Sequence, residues 1–175
     1  MRKLLIRLSL VTCLAATVAG QTDEWKRYRN TDGNFSVLFP FAPAESTVAD
    51  QDGMKSRSIQ AVQKPSGYNV MYISMTQEQT VDEATFVGFR DNIFARWPQC
   101  SVFLDVAAFP VIPGYIGHRY RLNCGGEKTK LTITGNLYWG KHYAYAVLTL
   151  CNADLPEAPG TRKFLDSFSL IDAAK

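Results

Sequence analysis

Residues 100–124 read Cys-Ser-Val-Phe-Leu-Asp-Val-Ala-Ala-Phe-Pro-Val-Ile-Pro-Gly-Tyr-Ile-Gly-His-Arg-Tyr-Arg-Leu-Asn-Cys. Pro110–Gly114 is a turn signal between two strand-like runs. Folding the stretch about Ile112 sets Cys100 opposite Cys124, Val102 opposite Leu122, Leu104 opposite Tyr120, and Val106 opposite His118. All of these share one face. The other face sets Asp105 against Arg119 and Phe103 against Arg121. An apolar face and a charge-complementary face emerge together, and a slip of one residue would destroy both. The same register predicts a Cys100–Cys124 disulfide closing a loop of about 25 residues, worth about 3 kcal/mol. Cys124–Cys151 is the competing pair. In a meander those two cysteines lie two strands apart, roughly 10 Å, beyond ordinary disulfide reach.

Working outward from this hairpin, the runs Ser101–Phe109, Tyr115–Cys124, Lys128–Tyr138 and His142–Leu150 are separated only by short turns, so they should be antiparallel neighbours. Upstream lies a helix. Thr80 and Glu83 have capping-box spacing, Phe86, Phe89, Ile93 and Trp97 recur at helical period, and Pro98 ends the run. A stripe of this kind belongs to a packing helix laid on a sheet. Further upstream, Trp25–Arg29 and Phe35–Phe39 flank Thr31-Asp32-Gly33-Asn34, where Asp-Gly supplies the positive φ of a hairpin turn. Ala44–Ala49 and Met54–Val62 flank Asp50–Gly53, and Tyr68–Thr76 follows the turn Lys64-Pro65-Ser66-Gly67. At the other end, Asp154 and Glu157 repeat the capping-box spacing before a short helix carrying Phe164, Leu165 and Phe168. The expected fold is α+β: an antiparallel β-sheet of two meanders, flanked by one longer and one short helix.

Residues 1–20 have a different character. Arg2, Lys3 and Arg7 precede an uncharged run from Leu8 to Ala19, and Val18-Ala19-Gly20 ends it with small residues. This is the pattern of a signal peptide cleaved before Gln21. The run is shorter than the roughly 20 apolar residues a membrane-spanning helix needs. It carries three of the 19 basic residues and none of the 16 acidic ones, so residues 21–175 are balanced at 16 of each. The net charge of +3 therefore describes the export signal. A neutral remainder gives no electrostatic case for nucleic acid or an anionic membrane surface. Export implies a periplasmic or secreted protein, one domain over 21–175, and a disulfide-permissive compartment. Cys151 is then left as a free thiol.

Catalytic motifs are missing from the sequence: no Gly-x-Ser-x-Gly, Gly-x-Gly-x-x-Gly, His-Glu-x-x-His or Cys-x-x-Cys occurs. His118 and His142 are the only histidines, and the predicted strands hold them roughly 16–22 Å apart, too far to share one metal ion. His118 falls on the apolar face and reads as a hydrogen-bonded core residue; His142 follows a turn and reads as surface. No cofactor is expected. Tyr138 and Trp139 at a hairpin tip, with Tyr143 and Tyr145 just after it, are the candidate binding surface, because flat amphipathic rings suit contact. The competing reading packs Tyr143 and Tyr145 beneath a helix and leaves only Trp139 exposed.

The run Thr31-Asp32-Gly33-Asn34-Phe35-Ser36-Val37-Leu38-Phe39-Pro40 and the closing Phe164-Leu165-Asp166-Ser167-Phe168-Ser169-Leu170 resemble the opening and ending motifs of small exported bacterial proteins. With a meander, a helix and a second meander between them, the chain resembles the PsbP-like/DcrB-like α/β/α sandwich family. That resemblance implies a binding or accessory protein and carries no catalytic residue. The expectation is a non-catalytic exported protein that binds a protein or small ligand of unknown identity. The alternatives are a small extracytoplasmic hydrolase or thiol protein using Cys151 or His118, and an inhibitor or immunity-type protein for a secreted toxin.

Overall fold

The structure is a computed structural model that describes residues 24–51, 54–105, 109–125, 130–152 and 157–172. Residues 1–20, read above as a signal peptide, the expected cleavage position before Gln21, Val106, the turn at Gly126 and Glu127, and Asp154 lie outside the described residues. In chain order the elements are β1 (Lys26–Asn30), β2 (Phe35–Phe39), β3 (Ala44–Gln51), β4 (Met54–Gln63), β5 (Ser66–Met75), α1 (Glu83–Phe94), β6 (Cys100–Asp105), β7 (Ile116–Gly125), β8 (Lys130–Trp139), β9 (Tyr143–Asn152), α2 (Thr161–Asp166) and β10 (Ser169–Leu170).

The strands are antiparallel and form a seven-stranded sheet in the order β3-β4-β5-β9-β8-β7-β6, and a smaller sheet in the order β1-β2-β10. The expectation of an antiparallel α+β sheet agrees with this, but its division into two meanders does not. After β5 the chain crosses through α1 to the far edge and meanders back until β9 pairs with β5, Val70 opposite Val147. The two runs thereby fuse into one sheet. The first hairpin leaves it altogether and pairs with β10, Ser169 opposite Ser36.

The hairpin that decided the reading has the expected register, with Cys100 opposite Cys124, Phe103 opposite Arg121 and Asp105 opposite Arg119. Cys100 and Cys124 form a disulfide with their Cα atoms 4.1 Å apart. The environment of its two faces differs from the expectation. α1 covers Tyr120 and Leu122 but stops short of the edge strand, so Val102 and Leu104 are exposed. The face read as charged is covered at Arg119, which is buried at 2% exposure, while Phe103 on the same face is 51% exposed at the edge.

Alternation along the strands gives each sheet face its own core. One face packs Tyr68, Val70, Tyr145 and Val147 against Phe35, Phe39, Phe164 and Phe168 of the small sheet and the α2 segment. The other packs Met71, Leu122, Ile133 and Leu137 against Phe86, Phe89 and Ile93 of α1. The apolar stripe of α1 thus does what its spacing predicts.

The caps differ from the sequence reading. Asp82, not Thr80, caps α1: its Oδ1 accepts from the Thr85 amide at 2.8 Å, and Thr85 Oγ1 faces back to the Asp82 backbone. Two overlapping boxes compete in this stretch, and Asp82 wins because the helix begins at Glu83. α2 starts after Gly160, which has φ 70° and no side-chain cap. In the first hairpin the positive φ falls on Asn34, at 52°, rather than on Gly33. Gly33 is required for closeness instead: a Cβ there would stand 2.8 Å from the Phe35 ring and 3.0 Å from Tyr72.

Candidate functional site

The four candidate aromatics do not form one surface. Alternation puts Tyr138 on the face beneath α2 and Trp139 on the face beneath α1. Tyr138 and Tyr145 are core residues, at 1% and 0% exposure. Tyr138 donates its hydroxyl to the Pro110 carbonyl at 3.0 Å, and Tyr145 donates to the Gly33 carbonyl at 2.8 Å. Burial drives both phenols well above their ordinary range. Trp139 is half-buried, packs on Phe89 and donates its indole N–H to the Thr80 carbonyl at 2.8 Å. Tyr143 alone of the four lines an open hollow.

That hollow has a volume of about 760 Å³. Its apolar walls include Val81, Ile116 and Leu170, with Tyr115 and Tyr143 between them and His142 at the rim. The two tyrosines stand on a rigid floor, because both pack on Tyr145: Tyr143 is stacked at 6.0 Å and 11°, and Tyr115 lies at 5.9 Å. Burial raises the Tyr115 phenol above its ordinary value, against the opposing effect of its hydrogen bond with Tyr145. Gly140 makes room for Tyr115. A Cβ at that position would stand 2.4 Å from its ring. The sequence reading missed Tyr115 and Gly140, since nothing local announces that the turn before β7 folds against the turn before β9.

Two polar residues of the lining, Lys141 and His142, pair with Glu78, which lies outside it. His142 Nε2 lies 3.5 Å from Glu78 Oε1, and Lys141 Nζ lies 3.6 Å from Glu78 Oε2. All three side chains are about half exposed or more, so these pairs orient the rim and contribute little to stability.

A second groove, of about 510 Å³, runs along the α1 face where the helix ends. Met71, Leu148 and Leu150 form its apolar base, and Trp97 and Arg96 border it just past α1. Trp97 belongs to the predicted helical stripe but lies beyond the last helical residue, Phe94.

Cys151 and His118 are on opposite faces of the sheet. Cys151 is 1% exposed and packs in the core with Tyr68 and Phe164. Its thiol faces Ser66 Oγ at 4.0 Å and the Asn152 carbonyl at 3.7 Å. His118 is half-buried over Phe86, with Nε2 3.6 Å from Glu83 Oε1 at the start of α1. The sheet separates the two, so they do not make a nucleophile–base pair. Among the described residues, no group of three or more His, Cys, Asp and Glu side chains could hold a metal ion, and no helix is long and apolar enough to cross a membrane. The chain matches no family model and no curated protein.

Proposed function

We propose that the protein is an exported, non-catalytic binding or accessory protein that takes an apolar or aromatic group of its partner into the hollow between Tyr115 and Tyr143. The observation that carries this reading is the built floor of the hollow. Two half-buried tyrosines rest on the buried Tyr145, and Gly140 keeps a place open for one of them. Such rings present a broad amphipathic surface at low entropic cost, because their rotamers are already fixed by packing. Lys141 and His142 at the mouth add hydrogen-bond donors. Export is supported by the pattern of residues 1–20 and by the Cys100–Cys124 disulfide. The resemblance to the PsbP-like/DcrB-like family supports the accessory role.

The test is a pull-down of tagged protein from its native envelope or culture fluid, read by mass spectrometry. Wild type should retain a partner at stoichiometric yield, and Tyr143→Ala and Gly140→Val should both lose it: Tyr143→Ala with thermal stability within a few degrees of wild type, Gly140→Val with a lower melting temperature because its side chain must displace the Tyr115 ring. Equal retention by wild type and both variants would place the binding site elsewhere.

One observation favours a second reading. His142, which lines the open hollow, pairs with Glu78 outside the lining, and a histidine oriented by a carboxylate is a candidate general base. A small hydrolase built on that pair would show turnover of ester or amide substrates that His142→Ala abolishes. Cys151 and His118, on opposite sheet faces, offer no such pair, and an inhibitor role for a secreted toxin would show itself as toxin in the pull-down.

A further inference from the structure

The large sheet has two ends, and they are finished differently. At one end β3 carries a register irregularity between Thr47 and Ala49, and exposed Glu45, Ser46 and Thr47. A bulge and polar side chains are how proteins keep an edge strand from pairing. At the other end, β6 pairs regularly with β7 throughout Cys100–Asp105, and Val102, Phe103 and Leu104 are 44%, 51% and 55% exposed. Over these described residues the edge is regular and apolar, and neither a bulge nor a charge interrupts it from Ser101 to Leu104.

The backbone of β6 also points outward in a defined way. In an antiparallel pair, residues with close Cα atoms, about 4.5 Å, are the non-hydrogen-bonded ones, and they aim their N–H and C=O away from the neighbouring strand. Cys100 and Cys124 are such a pair at 4.1 Å. The Cys100 amide accordingly turns away from β7 and donates to the Trp97 carbonyl at 3.0 Å. By alternation, Val102 and Leu104 present their N–H and C=O to the open edge, and no described strand lies beyond it.

We infer that β6 is a dimerisation edge, on which a second copy of this chain pairs its own β6 antiparallel about a two-fold axis through Phe103. The occupant follows from the sequence of the edge. Only same-parity residues can stand opposite one another without mixing sheet faces. Centring the axis on Phe103 sets Val102 against Leu104 of the second copy, Leu104 against Val102, and Phe103 against itself. Every exposed apolar side chain of the strand then meets another. Ser101 meets Asp105, a hydroxyl against a carboxylate. Centring on Val102 or on Leu104 instead sets Phe103 against Ser101 or against Asp105. The hydrogen-bonding parity agrees as well: Val102 and Leu104, whose amides are free to pair outward, face each other. On the α1 side, a hollow of about 520 Å³ between the helix and the edge is lined by Phe94, Tyr120, Val102 and Leu104, with the Arg90–Asp91 ion pair on its helix wall. The second copy's apolar side chains would lie alongside it. A closed two-fold pairing of this kind leaves no further strand edge at β6, so it ends at two copies.

The full chain without residues 1–20 is tested by light scattering after gel filtration, and by oxidative cross-linking of two single-cysteine additions. Wild type should elute with twice the mass of one chain. Phe103→Cys stands at the axis as a non-hydrogen-bonded pair, with Cα atoms about 4.5 Å apart, within disulfide reach. It should cross-link nearly quantitatively. Ser101→Cys lies off the axis by two residues on each chain and should not. Leu104→Lys should give a monomer with an unchanged far-ultraviolet spectrum. A monomeric wild type overturns the inference, as does cross-linking of Ser101→Cys as readily as Phe103→Cys. If Leu104→Lys fails to fold, the two cysteine variants decide alone.

Discussion

Arg119 shows how a residue can be placed correctly and still be misread. Its opposite neighbour, Asp105, follows from the turn at Pro110–Gly114 alone. Its burial does not, because burial depends on α2, which comes more than 40 residues later and lays Asp166 and Leu165 over that face. Arg119 Nε donates to Asn136 Oδ1 at 2.8 Å, and its guanidinium meets Asp166 Oδ1 at 2.5 Å. Asn136 in turn donates to the Leu165 carbonyl at 3.4 Å. The arginine is therefore a polar pin between sheet and helix. Arg119→Ala should cost about 3 kcal/mol in urea unfolding, through lost charged hydrogen bonds and a cavity. Arg119→Met, which keeps the packing volume, should cost roughly half as much. The aromatic candidates teach the same lesson. Their spacing was legible, but the depth of Tyr138 and Tyr145 was set by a small sheet that no local pattern placed. That depth has a pH signature. Burial, and after it the charges of Glu45 and Asp32, push the Tyr72 phenol up to about 12 from 10.0. A phenol held neutral in the fold stabilises it fully below the unfolded value, and that contribution is lost as pH rises through the folded one. Stability should therefore fall between about pH 10 and pH 12. Ultraviolet titration at 295 nm should show tyrosines that ionise only as near-ultraviolet circular dichroism disappears.

Among the elements, α1 was legible as a helix with a buried stripe, while its first residue was not. Thr80 with Glu83 and Asp82 with Thr85 both satisfy the spacing of a box. Which one forms is decided by where the chain leaves β5, since the Gln79 amide is tied to the Lys141 carbonyl at 2.8 Å and the Thr80 carbonyl accepts from Trp139. Those long-range contacts hold Thr80 outside the helix. Asp82→Ala should lower the melting temperature, and Thr80→Ala should leave it nearly unchanged. Hydrogen bonds from the Thr85 amide and hydroxyl hold the Asp82 carboxyl below its ordinary value of 3.8. A depressed carboxyl contributes stability above the unfolded value and loses it as pH falls through the folded one. The difference between wild type and Asp82→Ala should accordingly be full at pH 6 and shrink below about pH 4. Thermal melts at several pH values check both signs.

At the scale of the whole molecule, the sequence carried each hairpin and withheld how the hairpins join. Hairpins are local, and turn residues and alternation fix them. The β5–β9 ladder unites residues far apart in the chain, such as Ser66 and Cys151, and no turn specifies it. What does is the fit of two apolar faces, one under α1 and one under the small sheet. β9 is the fourth of seven strands, and it is buried on both faces over Ala144–Leu148. Its next-to-last residue is Cys151. The position of that thiol makes it a clock. At 1% exposure the sulfur is closed to a modifying reagent in the folded state, so labelling proceeds through brief excursions of the native ensemble. When reclosing outpaces modification, the observed rate divided by the rate for the unfolded chain is the equilibrium constant for opening. Labelling by a small maleimide should slow by the same factor that urea unfolding assigns to the global transition. A faster rate would mean that β9 opens at Cys151 without the rest of the sheet. Where the two rates agree, a single buried sulfur reports the stability of the entire protein in the absence of any denaturant.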